Sequence, residues 1–271
     1  MEAIDLTVII PVFNERDTIA AIVHRVLTEV QLKLELIIVD DGSNDGSAEI
    51  IDALAREDAR IQVIHKPNGG KTSALKAGFE RSRGEIVIIQ DADLEYDPAE
   101  IQHVVQPIIE KHADVVYGSR FLVRRASRVL YFYHYLANTV LTFLSNALTN
   151  LNMTDVETGY KAMRGDIIRN MIIESSGFGV EIEITAKVAK LGAAIYEVPI
   201  SYYGRTYEQG KKIGVKDGVL ALWYILRFNL FCSRENAFRK IPKLNETESR
   251  NFSRTSPDSV ASNTKVHRIS G

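Results

Sequence analysis

The sequence has little cysteine, little net charge and no long apolar run. Cys232 is the single cysteine among 271 residues, which excludes an intramolecular disulfide framework and a thiolate metal site. The formal net charge of −2 gives no global reason to expect a nucleic-acid partner. The sequence contains no window of about 18–20 uncharged apolar residues, which argues against a transmembrane helix. Residues 1–15 lack the features of a signal peptide. We therefore expect a cytoplasmic protein, either soluble or bound at a membrane surface.

Short β-branched runs alternate with helical patterns over the first 118 residues. Near-continuous apolar runs suit strands that are buried on both faces, and hence a mainly parallel α/β sheet flanked by helices. Ligands are expected beyond the carboxyl ends of such strands. The predicted strands are residues 6–12, 34–40, 61–65, 85–91 and 113–118, and the predicted helices lie near 16–30, 47–60, 71–82 and 98–111.

The second half of the chain adds two basic loops, each followed by an amphipathic helix pattern. The loops are residues 118–128 and 204–212, and the helices are predicted near 129–150 and 213–231. Residues 1–232 are expected to form one domain. Residues 233–271 are predicted to be a polar tail, disordered from about residue 245, because they contain little to bury.

Four acidic residues lie within seven positions in "DADLEYD", directly after an apolar run. In an extended segment Asp91, Asp93 and Glu95 would point to one side, where their charges repel one another. Mg²⁺ or Mn²⁺ would relieve this repulsion, because such hard cations take one or two carboxylates together with substrate phosphates. A solvated loop is the alternative. Asp97 before Pro98 is typical of a helix N-cap with proline at the first helical position.

Three further polar segments follow or precede predicted elements. "VDDGSND" contains Asp40 and Asp41, whose carboxylates suit hydrogen bonds from a ribose or a base edge, although these residue types also form ordinary turns. "IPVFNE" places Pro11 and Glu15 at the end of the first predicted strand, where ligands are expected. Glu15 would suit the first turn of a helix equally well. "NGGKTSA" places Lys71 at a helix start, where free amides bind phosphate. Its spacing is not the Walker pattern, so an ATPase is weakly supported.

Four motifs in this order resemble family 2 glycosyltransferases of the GT-A fold: "VIIPVFNE", "VDDGSND", "DADLEYDP" and "EVPISYYGRTYEQGKKI". The resemblance covers about residues 5–230. It is strongest to the dolichol-phosphate mannosyltransferase branch, which includes bacterial polyprenyl-phosphate glycosyltransferases. It implies a nucleotide-sugar donor and a Mg²⁺ or Mn²⁺ ion at Asp91 and Asp93, with Glu95 standing where the branch often has glutamine. The donor-binding residues expected on this basis are Pro11, Phe13, Glu15, Asp40, Asp41, Lys71 and Ala92.

The acceptor is a separate question, because the fold alone does not define it. A sugar hydroxyl needs a general base, whereas a phosphate monoester is already an oxyanion at neutral pH and needs cationic groups. The resemblance implies phosphate contacts by Arg120, Arg205 and Lys211, which together with Asp91 and Asp93 form the predicted catalytic set. A solvated basic surface is the alternative for the loop arginines. Further candidates for acceptor or sugar contacts are Arg124, Arg128, His134, Asp155, Glu157 and Glu183.

Residues 119–152 are interpreted as an insertion that faces the acceptor and the membrane. The residues expected to share one buried face of its helix are Leu130, Tyr133, Leu136, Val140, Phe143 and Leu144. The remaining aromatic residues suit a membrane interface. An ordinary buried helix or a dimer contact explains the pattern equally well. A homo-oligomer is also considered, because Trp223, Tyr224 and Phe228 could share an apolar face, although a core contact would explain them too.

The sequence therefore predicts inverting, metal-dependent transfer of a hexose from a GDP-mannose or UDP-glucose type donor to a polyprenyl phosphate. The expected location is the cytoplasmic membrane face, bound peripherally or through a membrane-protein partner. Two alternatives remain open. One is a soluble glycosyltransferase acting on a glycan hydroxyl, with a base among Asp155, Glu157, Glu181 and Glu183; the other is a non-catalytic nucleotide-sugar-binding partner of a membrane complex.

Overall fold

The computed structural model describes residues 3–122, 131–204 and 215–244. Its strands are β1 (Leu6–Val12), β2 (Leu34–Asp40), β3 (Ile61–His65), β4 (Ile86–Ile89), β5 (Val115–Ser119), β6 (Lys161–Arg164) and β7 (Ile195–Pro199). Its α-helices are α1 (Ile19–Glu29), α2 (Ser47–Glu57), α3 (Lys71–Arg81), α4 (Ile101–Ile109), α5 (Phe132–Thr149), α6 (Gly165–Asn170), α7 (Val180–Leu191), α8 (Val215–Leu230) and α9 (Arg234–Ala237).

The strands form one sheet in the order β3-β2-β1-β4-β6-β5-β7. All neighbours are parallel except that β6 runs antiparallel to both β4 and β5. The predicted mainly parallel sheet is therefore confirmed, whereas β6 was not predicted, because "KAMR" is short and half basic. The chain lays β2 and β3 on one side of β1 and β4 on the other. Ligands in such sheets bind beyond the carboxyl ends of the strands at this reversal.

Both faces of the sheet are covered by helices. Strand β2 is buried along its whole length and β1 along nearly all of it, as expected for apolar runs in a parallel sheet. Helices α1, α2 and α4 pack on one face, and α3, α6 and α7 pack on the other. The polar loops that follow β1, β2 and β4 are therefore all presented at one edge of a rigid layer.

Helix α8 packs beside α5 and α7 in a third apolar cluster. Tyr224 and Phe228 are buried there, with ring centroids 5.6 Å apart. Trp223 is instead 53% exposed. The hypothesis of one shared apolar face is therefore wrong for Tyr224 and Phe228, which make the core contact that was the alternative explanation.

Helix α5 turns its polar side inward. Asn138, Thr142 and Ser145 are buried, whereas Tyr133 is 80% and Phe143 68% exposed. The expectation of a buried face is thus wrong for Tyr133, Leu136, Val140 and Phe143. Leu144 is partly buried against the third apolar cluster, and Leu130 lies outside the described residues. The physical reason is that the polar residues have partners inside the protein: Asn138 donates to Asp155, and Thr142 accepts from the backbone N–H of Val156.

The chain continues to pack against the domain beyond residue 232. Ala237 and Phe238 are buried in the core cluster under α7, and Phe238 forms a β-bridge with Met171. The predicted tail boundary at residue 233 is therefore too early, because these two apolar residues find a site beside α6 and α7. Residues 245–271 lie outside the described part of the chain.

Candidate active site

The segment that follows β1 brings three predicted donor-binding residues to the edge of the sheet. Pro11 and Glu15 are half-buried and Phe13 is exposed. The backbone N–H of Glu15 donates to Ser47 Oγ at 3.0 Å, which ties this segment to the start of α2. Glu15 precedes α1 and its carbonyl accepts from the first residues of that helix. These residues therefore stand at the same edge as the ends of β2 and β4.

The carboxylate of Asp40 is held by neighbouring groups at the end of β2. It accepts from the backbone N–H of Ser43 at 3.0 Å, and His65 Nδ1 lies 2.9 Å from its other oxygen. Burial acts to raise the pKa of Asp40, but the hydrogen bonds from Ser43 and His65 outweigh it and lower the pKa below its usual range. Asp40 is therefore an ionised residue that supports the loop after β2. Its contact with a nucleoside stays a prediction.

Asp41 organises the glycine-containing loop before α3. Its carboxylate accepts from the backbone N–H groups of Gly69 and Gly70, at 3.0 and 2.7 Å, and from Lys66 Nζ at 2.5 Å. The side chain is almost completely buried. Asp41 thereby determines the position of Lys71, the first residue of α3. Its proposed contact with the donor also remains a prediction.

The acidic segment after β4 forms a turn instead of an extended strand. Leu94 has a φ of 60°, and Asp93 Oδ1 accepts from the backbone N–H of Glu95 at 3.1 Å. The argument that Asp91, Asp93 and Glu95 alternate on one side of an extended chain is therefore wrong. Glu95 Oε2 accepts from the hydroxyl of Tyr202 at 2.6 Å, so this carboxylate supports the turn from the side of β7.

Lys71 joins two acidic side chains from distant parts of the sequence. Its Nζ lies 2.9 Å from Asp91 Oδ1 and 3.1 Å from Glu181 Oε1, at the start of α7. Burial acts to lower the pKa of Lys71, but the two carboxylates outweigh it and raise the pKa well above its usual value. The lysine is thus a permanent cation beside the acidic turn, placed to interact with an anionic ligand there.

The segment before β6 packs directly against Asp91. A Cβ on Gly159 would lie 2.5 Å from Asp91 Oδ2, so only glycine permits this approach. The backbone N–H of Gly159 donates to the hydroxyl of Tyr96 at 2.9 Å. The Tyr96 ring lies 5.1 Å from that of Tyr160 and 5.3 Å from that of Tyr202. Burial raises the pKa of Tyr96 to about 12. This aromatic group forms the base on which the acidic turn rests.

Arg120 and Asp155 form a buried bidentate ion pair at the end of β5. Arg120 Nε and one terminal nitrogen each lie 2.6 Å from a carboxylate oxygen of Asp155. Asn138 of α5 contacts both partners, and the guanidinium stacks over the rings of Phe121 and Tyr202. Asp155 is completely buried, so it serves as the partner of Arg120. The prediction that the carboxylate of Asp155 contacts a sugar or an acceptor is therefore wrong.

The carboxyl group of Glu157 is influenced by the charges of Glu181 and Lys161. Burial, and then the charge of Glu181, raise the pKa of Glu157 to about 7. Burial lowers the pKa of Lys161 to about 8, although its ammonium donates to two backbone carbonyls and lies 5.1 Å from the centre of the Tyr117 ring. Glu157 is thus a weakly acidic carboxyl group whose charge depends on what occupies the neighbouring space.

Glu183 is a structural residue. It is completely buried, and its oxygens accept from the backbone N–H groups of Glu174 and Ser175 and from Lys187 Nζ at 2.6 Å. The prediction that Glu183 contacts a sugar or an acceptor is therefore wrong, because protein donors already use its carboxylate. His134, in the first turn of α5, is half-buried with its ring 6.0 Å from that of Tyr131.

Five predicted site residues remain: one is buried, and four lie outside the described part of the chain. Ala92 is buried within the core cluster that also contains Tyr96. The predicted residues that lie outside the described part of the chain are Arg124, Arg128, Arg205 and Lys211.

Several residues of the site were missed by the sequence argument. The acidic turn packs on three buried tyrosines, Tyr96, Tyr160 and Tyr202. Lys161 is a fully buried lysine in β6. The lysine within the apolar stretch "GYKAM" was a usable signal, because lysine is rarely buried without partners. The tyrosines gave none, since they come from three separate segments.

The described residues contain no group of three or more histidine, cysteine or acidic side chains arranged to hold a metal ion. Asp91 and Asp93 nevertheless provide two carboxylates at the end of β4. That number suits Mg²⁺ or Mn²⁺, which usually keep several waters and take substrate phosphates as further ligands. The residues therefore fit a metal ion that binds together with a diphosphate.

The chain is similar in sequence to two curated proteins. The chain is 29% identical over 239 residues to the undecaprenyl-phosphate mannosyltransferase of Micrococcus luteus, which covers 82% of this chain and 97% of that protein. It is also 29% identical over 215 residues to the polyprenol monophosphomannose synthase of Mycolicibacterium smegmatis, covering 76% and 80% of the two chains.

Solved structures show the same fold. The glucosyl-3-phosphoglycerate synthase from Mycobacterium tuberculosis, in complex with Mn²⁺, uridine diphosphate and phosphoglyceric acid, superposes with a TM-score of 0.64. The match is 20% identical and covers 84% of this chain and 79% of that one. At this identity the likeness shows the fold alone. The family model for glycosyl transferase family 2 matches residues 7–172, more than half of the chain, and the protein therefore belongs to family 2 of the glycosyltransferases, enzymes with the GT-A fold.

Proposed function

We propose that the enzyme transfers one hexose from a nucleotide sugar to a polyprenyl phosphate, with inversion at the anomeric carbon. The donor class is GDP-mannose or UDP-glucose. Two relatives that share most of their length with this chain are named for mannosyl transfer to undecaprenyl phosphate and for synthesis of a polyprenol monophosphomannose. The reaction takes place at the cytoplasmic face of a membrane.

The observation that carries this proposal is the connection between Arg120 and the aromatic helix α5. Asn138 on the inner side of α5 contacts both Arg120 and Asp155, while Tyr133 and Phe143 on its outer side are exposed. A guanidinium has several N–H donors, so Arg120 can bind a phosphate while Asp155 holds it in place. A phosphate joined to an apolar chain is the acceptor that uses both features.

On the donor side, the groups of this chain hold the diphosphate and the sugar. Asp91 and Asp93 would hold Mg²⁺ or Mn²⁺, which would supply positive charge against the leaving diphosphate when bound. Lys71 supplies a second positive charge beside Asp91. Asp40 and Asp41, with Phe13, position the nucleoside through the loops that they organise. Holding both reactants in line supplies much of the rate.

Two of the four carboxylates considered as a general base for a glycan hydroxyl, Asp155 and Glu183, are held by protein partners. Such an acceptor needs a carboxylate that is free to take a proton. Asp155 is bound to Arg120, and Glu183 is bound to Lys187 and two backbone N–H groups. A polyprenyl phosphate is already ionised near neutral pH and needs no such base.

The apolar surface of α5 and α8 is proposed to rest on the membrane. The two helices pack against each other, and both expose large apolar side chains: Phe132, Tyr133, Leu136 and Phe143 on α5, and Val219, Trp223 and Leu230 on α8. No helix in the described ranges is long and apolar enough to cross a membrane. The occupant of this surface is the lipid headgroup region, because the acceptor lipid itself lies there.

Sugar transfer from a panel of labelled nucleotide sugars to a short-chain polyprenyl phosphate tests the proposal. The reaction is run with Mn²⁺, with Mg²⁺ and with EDTA, and product is recovered by organic extraction. An extractable product that disappears in EDTA supports the proposal and identifies the donor. Donor hydrolysis alone, or no consumption of any donor, would count against it.

A further inference from the structure

Two buried carboxylate oxygens beside the acidic turn are unpaired. Glu157 Oε1 and Glu181 Oε2 are both buried, and neither has a hydrogen-bond partner among the residues that the structure describes. Buried polar atoms in folded proteins nearly always have such a partner. Leaving a carboxylate oxygen unpaired costs stability, because the atom loses its water and gains nothing in return. Two such atoms at one place therefore need an explanation.

Both residues belong to the wall of the active site. Lys71 lies between Glu181 and Asp91, within 3.1 and 2.9 Å of their oxygens. Glu157 precedes Gly159 by two residues, and Gly159 is in direct contact with the carboxylate of Asp91. The charge of Glu181 also contributes to the raised pKa of Glu157.

The surrounding charges define the kind of ligand that would satisfy these oxygens. An anion such as phosphate would be repelled by the carboxylates. A metal cation is disfavoured because Lys71 already binds Glu181, and Lys161 adds a second positive charge nearby. A hydroxyl group carries no charge and donates a hydrogen bond, which is the contact that both oxygens lack.

We infer that Glu157 and Glu181 accept hydrogen bonds from hydroxyl groups of the hexose of the bound nucleotide sugar. The inference rests on the proposed function and deepens it, because it assigns the residues that recognise the sugar as opposed to the nucleotide. A site built to pair with hydroxyl groups rejects analogues that lack them, since its own buried groups are then left unpaired.

Titration calorimetry on the full chain with Mn²⁺ measures this recognition directly. GDP-mannose is compared with GDP, and UDP-glucose with UDP, so that the ratio of the two affinities reports on the sugar alone. In Glu157→Gln the affinity for the sugar nucleotide falls about tenfold or more, as expected for a hydrogen bond to a charged group. The affinity for the nucleoside diphosphate changes by less than about twofold, and Glu181→Gln lowers the same ratio.

Two further glutamates serve as matched controls. Glu174→Gln changes an exposed carboxylate that pairs with Arg227 and Lys187, and it leaves the ratio unchanged. Glu183→Gln removes a carboxylate that protein donors fully use, so it lowers the melting temperature and leaves the ratio unchanged. Glu157→Gln has a different effect on stability: it keeps the melting temperature of the wild type, because no protein hydrogen bond to Glu157 Oε1 is lost.

The outcomes separate this inference from the proposed function. An unchanged affinity ratio in folded Glu157→Gln overturns the inference alone. A wild-type protein that binds neither sugar nucleotide nor nucleoside diphosphate overturns the proposed function, and the inference with it. Monodeoxy analogues of the bound sugar nucleotide provide a test on the unmodified protein. If every analogue binds the wild type as tightly as the parent compound, the inference is wrong.

Discussion

Replacing Asp155 with asparagine would break a buried ion pair of the site. Asp155 accepts three contacts from Arg120, namely from Nε and one terminal nitrogen at 2.6 Å and from the backbone N–H at 3.1 Å. The side chain of Arg120 is only 14% exposed. In Asp155→Asn the guanidinium stays buried without its counter-charge, while the shape of the residue is kept.

The expected loss follows from the burial of this pair. Removing one partner of a buried ion pair costs about 3–5 kcal/mol. For a domain of this size, 1 kcal/mol shifts the melting temperature by about 2–4 °C, so the variant should melt about 6–20 °C below the wild type. Asn138 also loses its carboxylate partner, so the anchoring of α5 should weaken as well.

Calorimetry and urea unfolding of three variants would test this account. Asp166→Asn is the matched control, because its carboxylate is 42% exposed and its partner Arg164 keeps a second ion pair with Asp114; it should cost less than about 1 kcal/mol. Adding Arg120→Met to Asp155→Asn should recover most of the lost stability, since no unpaired charge then remains buried. If Asp155→Asn melts within about 1 °C of the wild type, the ion pair between Arg120 and Asp155 does not stabilise the fold as argued.

Three further predictions concern pH, the acidic turn and the membrane. Hydrogen bonding to Asp40 raises the pKa of His65 above its usual value, so its stabilisation is present below the unfolded pKa and lost as pH rises through the folded one. The free energy of unfolding, measured with urea, should therefore be higher for the wild type than for His65→Gln by about 0.2–1 kcal/mol at pH 5.5 and by less at pH 8.5. An equal difference at the two pH values would contradict this. Gly159→Ala should reduce the initial rate of sugar transfer at least about tenfold while the circular dichroism spectrum is kept, because its Cβ would displace the carboxylate of Asp91; full activity would show that the turn tolerates the shift. Phe143→Ser should reduce sedimentation with anionic phospholipid vesicles, because it removes an exposed apolar side chain from α5; unchanged binding would assign membrane contact elsewhere.

The sheet and the position of the site could be predicted because they depend on local patterns. The apolar runs of β1, β2 and β4 identified buried parallel strands, and the polar loops after them had to meet at one edge. Asp97 also behaves as predicted, since it accepts from the backbone N–H of Ala99 just after Pro98. These features are determined within a few residues of sequence.

The contacts inside the site could not be predicted, because they join segments that are distant in sequence. Lys71 and Glu181 are 110 positions apart, and nothing in either segment indicates the other. The turn at Leu94 depends on a left-handed backbone conformation that its residue type does not announce. The outward apolar face of α5 was missed for the same reason: only the position of Asp155 shows why Asn138 points inward.

The central claim is that the acceptor is a phosphate carried by a polyprenyl chain. The most direct test compares initial rates of sugar transfer to a short-chain polyprenyl phosphate, to the matching polyprenol without phosphate, and to a water-soluble glycan. The account predicts a lipid-linked monophosphate sugar from the first acceptor and almost no product from the other two. Transfer to the polyprenol or to the glycan at a comparable rate would contradict it, because a hydroxyl would then be acting as the nucleophile.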